Sequence, residues 1–206
     1  MSSILGIDKY LHMEGLAYRF IPVEAEDYLK RYGGVYREGS YDLLVNKANE
    51  GIVSWGNLNQ PDVVPDRESV RNLSYAQLAY SRLAQALVSH GEYDSAVIVM
   101  DKYQEFFPNE KFPAEIHTYQ FPEMYYISGA TEKGDAYMTN LVNNYCDQVK
   151  YYGGMKPKFR DYYEEDIDEG MSLLKHFSDV AKKYGRDELA QTIADRMTEF
   201  MMAYYN

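Results

Sequence analysis

The chain has 206 residues, 46% of them hydrophobic, and its 32 acidic residues against 21 basic ones give a formal charge of −11. That length suits one domain with a sizeable core, while the acidic balance and the absence of a Lys/Arg block disfavour nucleic acid and anionic membrane surfaces as partners. No stretch approaches the ~20 apolar residues of a membrane span, and no basic-then-apolar leader opens the chain, so the sequence reads as soluble.

From Met1 to about Pro22 the run Leu16-Ala17-Tyr18-Arg19-Phe20-Ile21-Pro22-Val23 is β-prone but isolated and interrupted by proline, which predicts an extended arm. A short helical pattern runs from Glu24 to Tyr32 with Gly33-Gly34 as its stop, and another from Ser40 to about Asn49 with Gly51 as its stop. Between Gly51 and Pro65 the turn-formers around Trp55-Gly56-Asn57-Leu58-Asn59 predict a loop, and Trp55, the only tryptophan, reads as its pin rather than as a ligand-stacking ring. Asp66 is a good N-cap for a helix whose apolar stripe reaches His90-Gly91, and a second helix follows from Ala96 to Phe107 before Pro108. Further helices are predicted at about Phe121–Ser128, Lys133–Tyr152, Glu164–Tyr184 and Asp187–Tyr204, separated by Gly129, by Gly153-Gly154 with Pro157, and by Gly185.

A helical hairpin packs through small residues that admit large ones from its neighbour, so spacing can test for it. Tyr80, Leu83-Ala84, Leu87, Ala96, Met100 and Pro108 fit the tetratricopeptide pattern, with Tyr103 departing where a small residue is usual. A second copy is Leu174, Phe177-Ser178, Ala181, Ala190 and Ala194, and Met124, Ile127 and Ala136 form a degenerate one between them. The copies do not keep a strict register of about 34 residues. The fold expected is therefore all-α, an irregular tetratricopeptide-like stack of antiparallel helix pairs with an N-terminal extended arm, divided into residues 1–65 (arm, short helices, Trp loop) and 66–206 (repeats) that pack as one structural unit.

The segments from Glu14 to Val23 (EGLAYRFIPV), Tyr41 to Lys47 (YDLLVNK) and Trp55 to Asn59 (WGNLN), followed by the hairpin, resemble in that order the C-terminal soluble region of a family of uncharacterised bacterial multi-pass membrane proteins distantly related to protein O-mannosyltransferases. The likeness is close from about Gly6 to Pro108 and loose afterwards. It implies a parent that transfers a sugar from a polyprenyl-phosphate donor, with catalytic residues in a membrane-embedded N-terminal part that this chain lacks. It also implies periplasmic exposure; without such a parent a cytoplasmic location is expected. Contact with a membrane is expected only through that missing region.

Candidate chemistry is sparse. Cys146, the single cysteine, leaves no partner for an intramolecular disulfide, and its helical spacing from Val142 and Val149 favours burial over nucleophilic work. His12, His90, His117 and His176 are too scattered for a zinc helix, and no phosphate loop or nucleophile elbow occurs, so no metal, no cofactor and no catalytic residue is assigned. The acidic run Asp161–Glu169 would place Glu165 and Asp168 on one helix face, but acidic residues also simply favour a helix's first turn. The 22 tyrosines suit either helix seams or an exposed binding surface, with Tyr162 and Tyr163 the pair expected at the surface.

The function expected is a non-catalytic protein- or peptide-interaction domain, the partner binding a concave face that carries Ser81, Gln85, Lys175, Asp179 and Lys182. One rival is a carbohydrate-binding or carbohydrate-hydrolysing helical domain that uses the tyrosines with Glu165 and Asp168. Another is a purely structural cap on a membrane neighbour.

Overall fold

A computed structural model describes residues 7–25, 33–113 and 116–205. The β-prone run near the start does find partners. Strands β1 (Leu11–Glu14) and β2 (Ala17–Phe20) pair antiparallel, Leu11 opposite Phe20 and Glu14 opposite Ala17, about a turn in which Gly15 takes a φ of +62°. Strand β3 (Gly34–Val35) adds in parallel to the other side of β1, giving the order β2-β1-β3. The extended arm is thus a small sheet. Gly34 lies in that sheet, where a Cβ would sit 2.1 Å from that of Ala25. Beyond Ala25, the helical pattern expected up to Tyr32 lies outside the described residues.

Helix α1 (Arg37–Tyr41) passes through a π-helical turn at Asp42–Asn46 into α2 (Lys47–Asn49), beginning a little before the expected Ser40. Ser40 is wholly buried and joins these turns to the sheet: its Oγ accepts from the Gly15 N–H and donates to the Met13 carbonyl, both at 3.0 Å.

Helix α3 (Arg67–Ser89) starts where the cap predicts. The Asp66 carboxylate accepts from the N–H groups of Glu68 and Ser69 at 2.9 and 3.0 Å, satisfying donors that a helix N-terminus leaves orphaned. At the other end the His90 ring lies 2.9 Å from the Ala86 carbonyl, and Gly91 at φ +77° turns the chain into α4 (Tyr93–Phe106). Tyr80, Leu83, Ala84, Leu87, Ala96 and Met100 are each at most 1% exposed, so the spacing had picked out the seam of this hairpin. Tyr103 fits there because it meets Tyr80 and Phe121 edge-on, at centroid separations of 6.1 and 5.2 Å. Phe121 opens α5 (Phe121–Ile127), which packs on α3 and α4.

The loop from Gly51 to Pro65 is held at two points. Trp55 packs on Tyr80 and Phe107, at 6.4 and 5.6 Å, as expected of a pin. Lys111 is the second, unforeseen one: its ammonium donates to the carbonyls of Leu58 at 3.2 Å, of Val63 at 2.6 Å and of Gln60.

The described residues up to Phe112 together with Ile116–Ala130 form one compact unit, and Pro113 with the chain from Thr131 onward forms a second. Cohesion therefore does not break at 65/66, because the sheet, the short helices and the Trp loop share the core of the first hairpin. The second unit holds α6 (Thr131–Gly153), α7 (Pro157–Arg160), a 3-10 turn at Asp161–Tyr163, α8 (Glu164–Lys183) and α9 (Asp187–Tyr205). Its hairpin is α8 and α9 about Gly185 at φ +70°, with Leu174, Phe177, Ser178, Ala181 and Ala190 buried, and α6 packs against both helices. The α6–α8 crossing is close: a Cβ on Gly170 would lie 2.5 Å from a Val149 methyl. In the degenerate middle copy only Met124 is buried; Ile127 and Ala136 are exposed, and its two helices belong to different units. Among the described residues no helix is long and apolar enough to cross a membrane.

Candidate interaction surface

The second unit buries Tyr137, Tyr145 and Phe177 but sets other aromatic residues at its surface. α6 ends at Gly153, where a side chain would collide with the ring of Phe200, whose atoms lie 2.6 and 2.9 Å from the place a Cβ would take. Lys156 is extended at ψ 143° and Pro157, with no N–H to satisfy, opens α7. Tyr151 on the last turn of α6, and Phe159 and Tyr162 in the short connection to α8, stand at the surface, 67%, 48% and 82% exposed.

Tyr162 and Tyr163, expected together at the surface, divide their roles. Tyr163 is half-buried and lies flat on Tyr152, centroids 4.5 Å apart and planes 7° off parallel, which fixes the 3-10 turn to the end of α6. Tyr162 is left to solvent. Tyr151 lies 5.6 Å from Tyr152 and extends the aromatic patch. Nearby, the Arg160 guanidinium stands 4.7 Å over Tyr204 and the Lys158 ammonium 4.6 Å over Phe159, so cations are interleaved with rings. Tyr151 and Phe159 were missed from sequence. A signal was present: the stretch from Lys150 to Arg160 holds Lys150, Lys156, Lys158 and Arg160 and no acid, in a chain of net −11. Among the described residues none of these four cations forms an ion pair, which leaves their charge for an outside group.

The concave-face residues fare unevenly. Ser81 is buried, and this corrects its expected place on a binding face. The cause is that the sheet and short helices cover what a bare hairpin would leave open: Tyr80, Ser81, Arg82 and Leu83 are buried in succession, and Arg82 donates to the Tyr18 hydroxyl and the Gly33 carbonyl, both at 2.8 Å. Gln85 is exposed on α3. Lys175, Asp179 and Lys182 are exposed on α8, and neither lysine pairs with Asp179. Gln85 belongs to one unit and the α8 trio to the other. Glu165 and Asp168 are both exposed in the first turns of α8.

Titration is perturbed inside the units. Burial pushes the Tyr80 phenol up to about 12, with a smaller opposing pull from the Trp55 indole N–H, which is itself buried and makes no hydrogen bond of ordinary geometry. Burial, and then the Asp101 carboxylate, pushes Tyr125 up as well. The Cys146 thiol is half-buried and raised by that burial; the Arg196 charge pulls it back down in part, and Asp147 adds a small upward push.

No family model, no curated protein and no solved structure matches this chain.

Proposed function

We propose that this chain is a non-catalytic docking domain that captures an acidic protein segment with apolar anchors on the surface formed by Tyr151, Phe159 and Tyr162. The supporting observation is the occurrence of three exposed rings, and of cations without ion pairs among the described residues, between Lys150 and Tyr162 of an acidic chain. Large rings left in water lose the hydrophobic gain that burial gives, and they are the residue types that anchor interfaces. Lys150, Lys156 and Lys158 then select for carboxylates and speed encounter, while the acidic remainder of the chain disfavours other approaches. The resemblance adds a setting to the proposal: a domain of this kind serves a membrane glycosyltransferase-like parent and meets its partner on the periplasmic side.

The test is selection of peptides from a random library on the immobilised full chain, followed by titration of the enriched peptides. The peptides should carry Asp or Glu beside Leu or aromatic residues. Each of Tyr151→Ala, Phe159→Ala and Tyr162→Ala should weaken them about tenfold with the melting temperature unchanged. Enriched peptides that lack acidic residues, or that bind the triple variant as well as the parent, overturn the reading.

A further inference from the structure

A cavity of about 360 Å³ lies in the second unit between α6 and α9, a volume within the range of small-molecule sites. Its lining is unusual in composition. Cys146, Asp147, Val149 and Lys150 come from α6, Leu174 from α8, and Arg196, Glu199 and Phe200 from α9. Val149 and Leu174 are each 1% exposed and form an apolar floor, with the half-buried Phe200 ring as one wall. Around it stand two cations and two carboxylates, so the lining is electrically neutral while strongly polar.

These four charges do not neutralise one another. Among the described residues neither Lys150 nor Arg196 forms an ion pair with any carboxylate; Arg196 donates instead to the neutral Asn143 side chain at 2.6 Å. The spacing explains why they share one opening. Lys150 is three residues beyond Asp147 on α6, and Glu199 is three residues beyond Arg196 on α9, so each helix presents one cation and one carboxylate beside the cavity. A ligand with one positive and one negative group and an apolar body can meet both signs and the floor at once. A ligand with a single charge leaves two of the four side chains facing it with the wrong sign.

We propose that this cavity binds a free α-amino acid with an apolar side chain: its carboxylate meets Arg196 and Lys150, its ammonium meets Glu199 and Asp147, and its side chain rests on Val149, Leu174 and Phe200. Charge-assisted hydrogen bonds at both ends give selectivity against molecules that lack either group. Cys146 lies in the wall beside the bound molecule and serves as a reporter of occupancy. This site shares Lys150 with the aromatic docking surface, but its floor and its other charged groups lie apart from Tyr151, Phe159 and Tyr162 in the lining.

The experiment titrates the full ¹⁵N-labelled chain with L-phenylalanine, L-leucine, N-acetyl-L-phenylalanine and L-phenylalaninamide, and follows amide shifts and the rate of Cys146 alkylation by iodoacetamide. The two amino acids should shift the resonances of Cys146, Leu174 and Phe200 and slow alkylation. The acetylated and amidated analogues, which lack the ammonium and the carboxylate respectively, should bind at least about tenfold more weakly. Arg196→Gln and Glu199→Gln should each reduce affinity by a similar factor. The analogue comparison uses only the native chain, so it stands even where a variant folds poorly. Equal binding of all four compounds overturns the assignment, as does the absence of any shift at these residues up to about 10 mM.

Discussion

The two units contain hairpins of the same spacing, Tyr80 to Ala96 in the first and Leu174 to Ala190 in the second, yet the tyrosines at the core of the first hairpin and those near the connection before α8 in the second are treated in opposite ways. In the first unit Tyr80, Tyr103 and Tyr125 are at most 2% exposed, and two of their hydroxyls are placed by named partners: Tyr80 donates to the Leu44 carbonyl at 3.1 Å, and Tyr125 donates to Asp101 at 3.0 Å and accepts from Gln104 at 2.8 Å. In the second unit Tyr151 and Tyr162 stand in solvent. The difference lies in cladding. The first hairpin is covered by a sheet, two short helices and a pinned loop that supply apolar rings and carbonyl acceptors; the connection before α8 has no such cover. A repeat signature therefore reports how two helices meet and says nothing of what is laid over them.

The contrast is broken most severely at Tyr80. Tyr80→Ala removes the ring that Trp55, Tyr103 and Phe107 all touch and leaves the Leu44 carbonyl without its donor, a loss of about 3–5 kcal/mol by analogy with other large-to-small aromatic changes. Chemical denaturation should show that loss, whereas Tyr162→Ala should change stability by less than about 0.5 kcal/mol. Comparable values for the two would remove the distinction between the covered hairpin core and the uncovered connection.

Alkaline pH probes the same ring without mutation. The Tyr80 phenol titrates near 10 when unfolded and near 12 in the fold, so the folded form holds its proton more tightly. The stabilisation is complete below pH 10 and is lost as pH rises through about 12, a fall on the order of 3 kcal/mol. Tyr125, also pushed up, adds in the same direction. Unfolding followed from pH 9 to 12 should show this decline, and Tyr80→Phe should flatten it.

The shared feature of the units can be tested at their small residues. Ala96 and Ala190 are each 0% exposed in their hairpin seams, and Leu at either should overpack the seam and cost about 1–3 kcal/mol. Thermal melts read this directly, and an unaffected Ala96→Leu variant would remove that residue from the seam.

The smallest effect is expected on α8. Lys175→Glu with Lys182→Glu replaces two exposed side chains that carry no ion pair with Asp179, and the melting temperature should stay within the change that about 0.5 kcal/mol produces. A larger drop would show that these lysines hold the second unit together.

Both hairpins were legible because small and large residues at fixed helical spacing define a seam wherever the helices lie, and because Asp66, Gly91, Gly129 and Gly185 act through local backbone chemistry. The Trp55 pin was legible for a related reason, since a lone large ring among turn-formers must bury somewhere. Tertiary structure alone decided the rest. The β-prone run of β2 finds its partner in β1 just before it, and β3, about twenty residues beyond β1, covers the other edge of β1. Ser81 was removed from the surface by that sheet, and Lys111 reached the carbonyls of a loop some fifty residues earlier. The same holds for the candidate sites. Tyr162 could be singled out from its loop, but the stacking of Tyr163 on Tyr152 and the gathering of Cys146, Leu174 and Arg196 around one cavity depend on which helices pack together. Spacing encodes contacts within a helix pair, and only the packing of three or more elements decides which side chains share a surface.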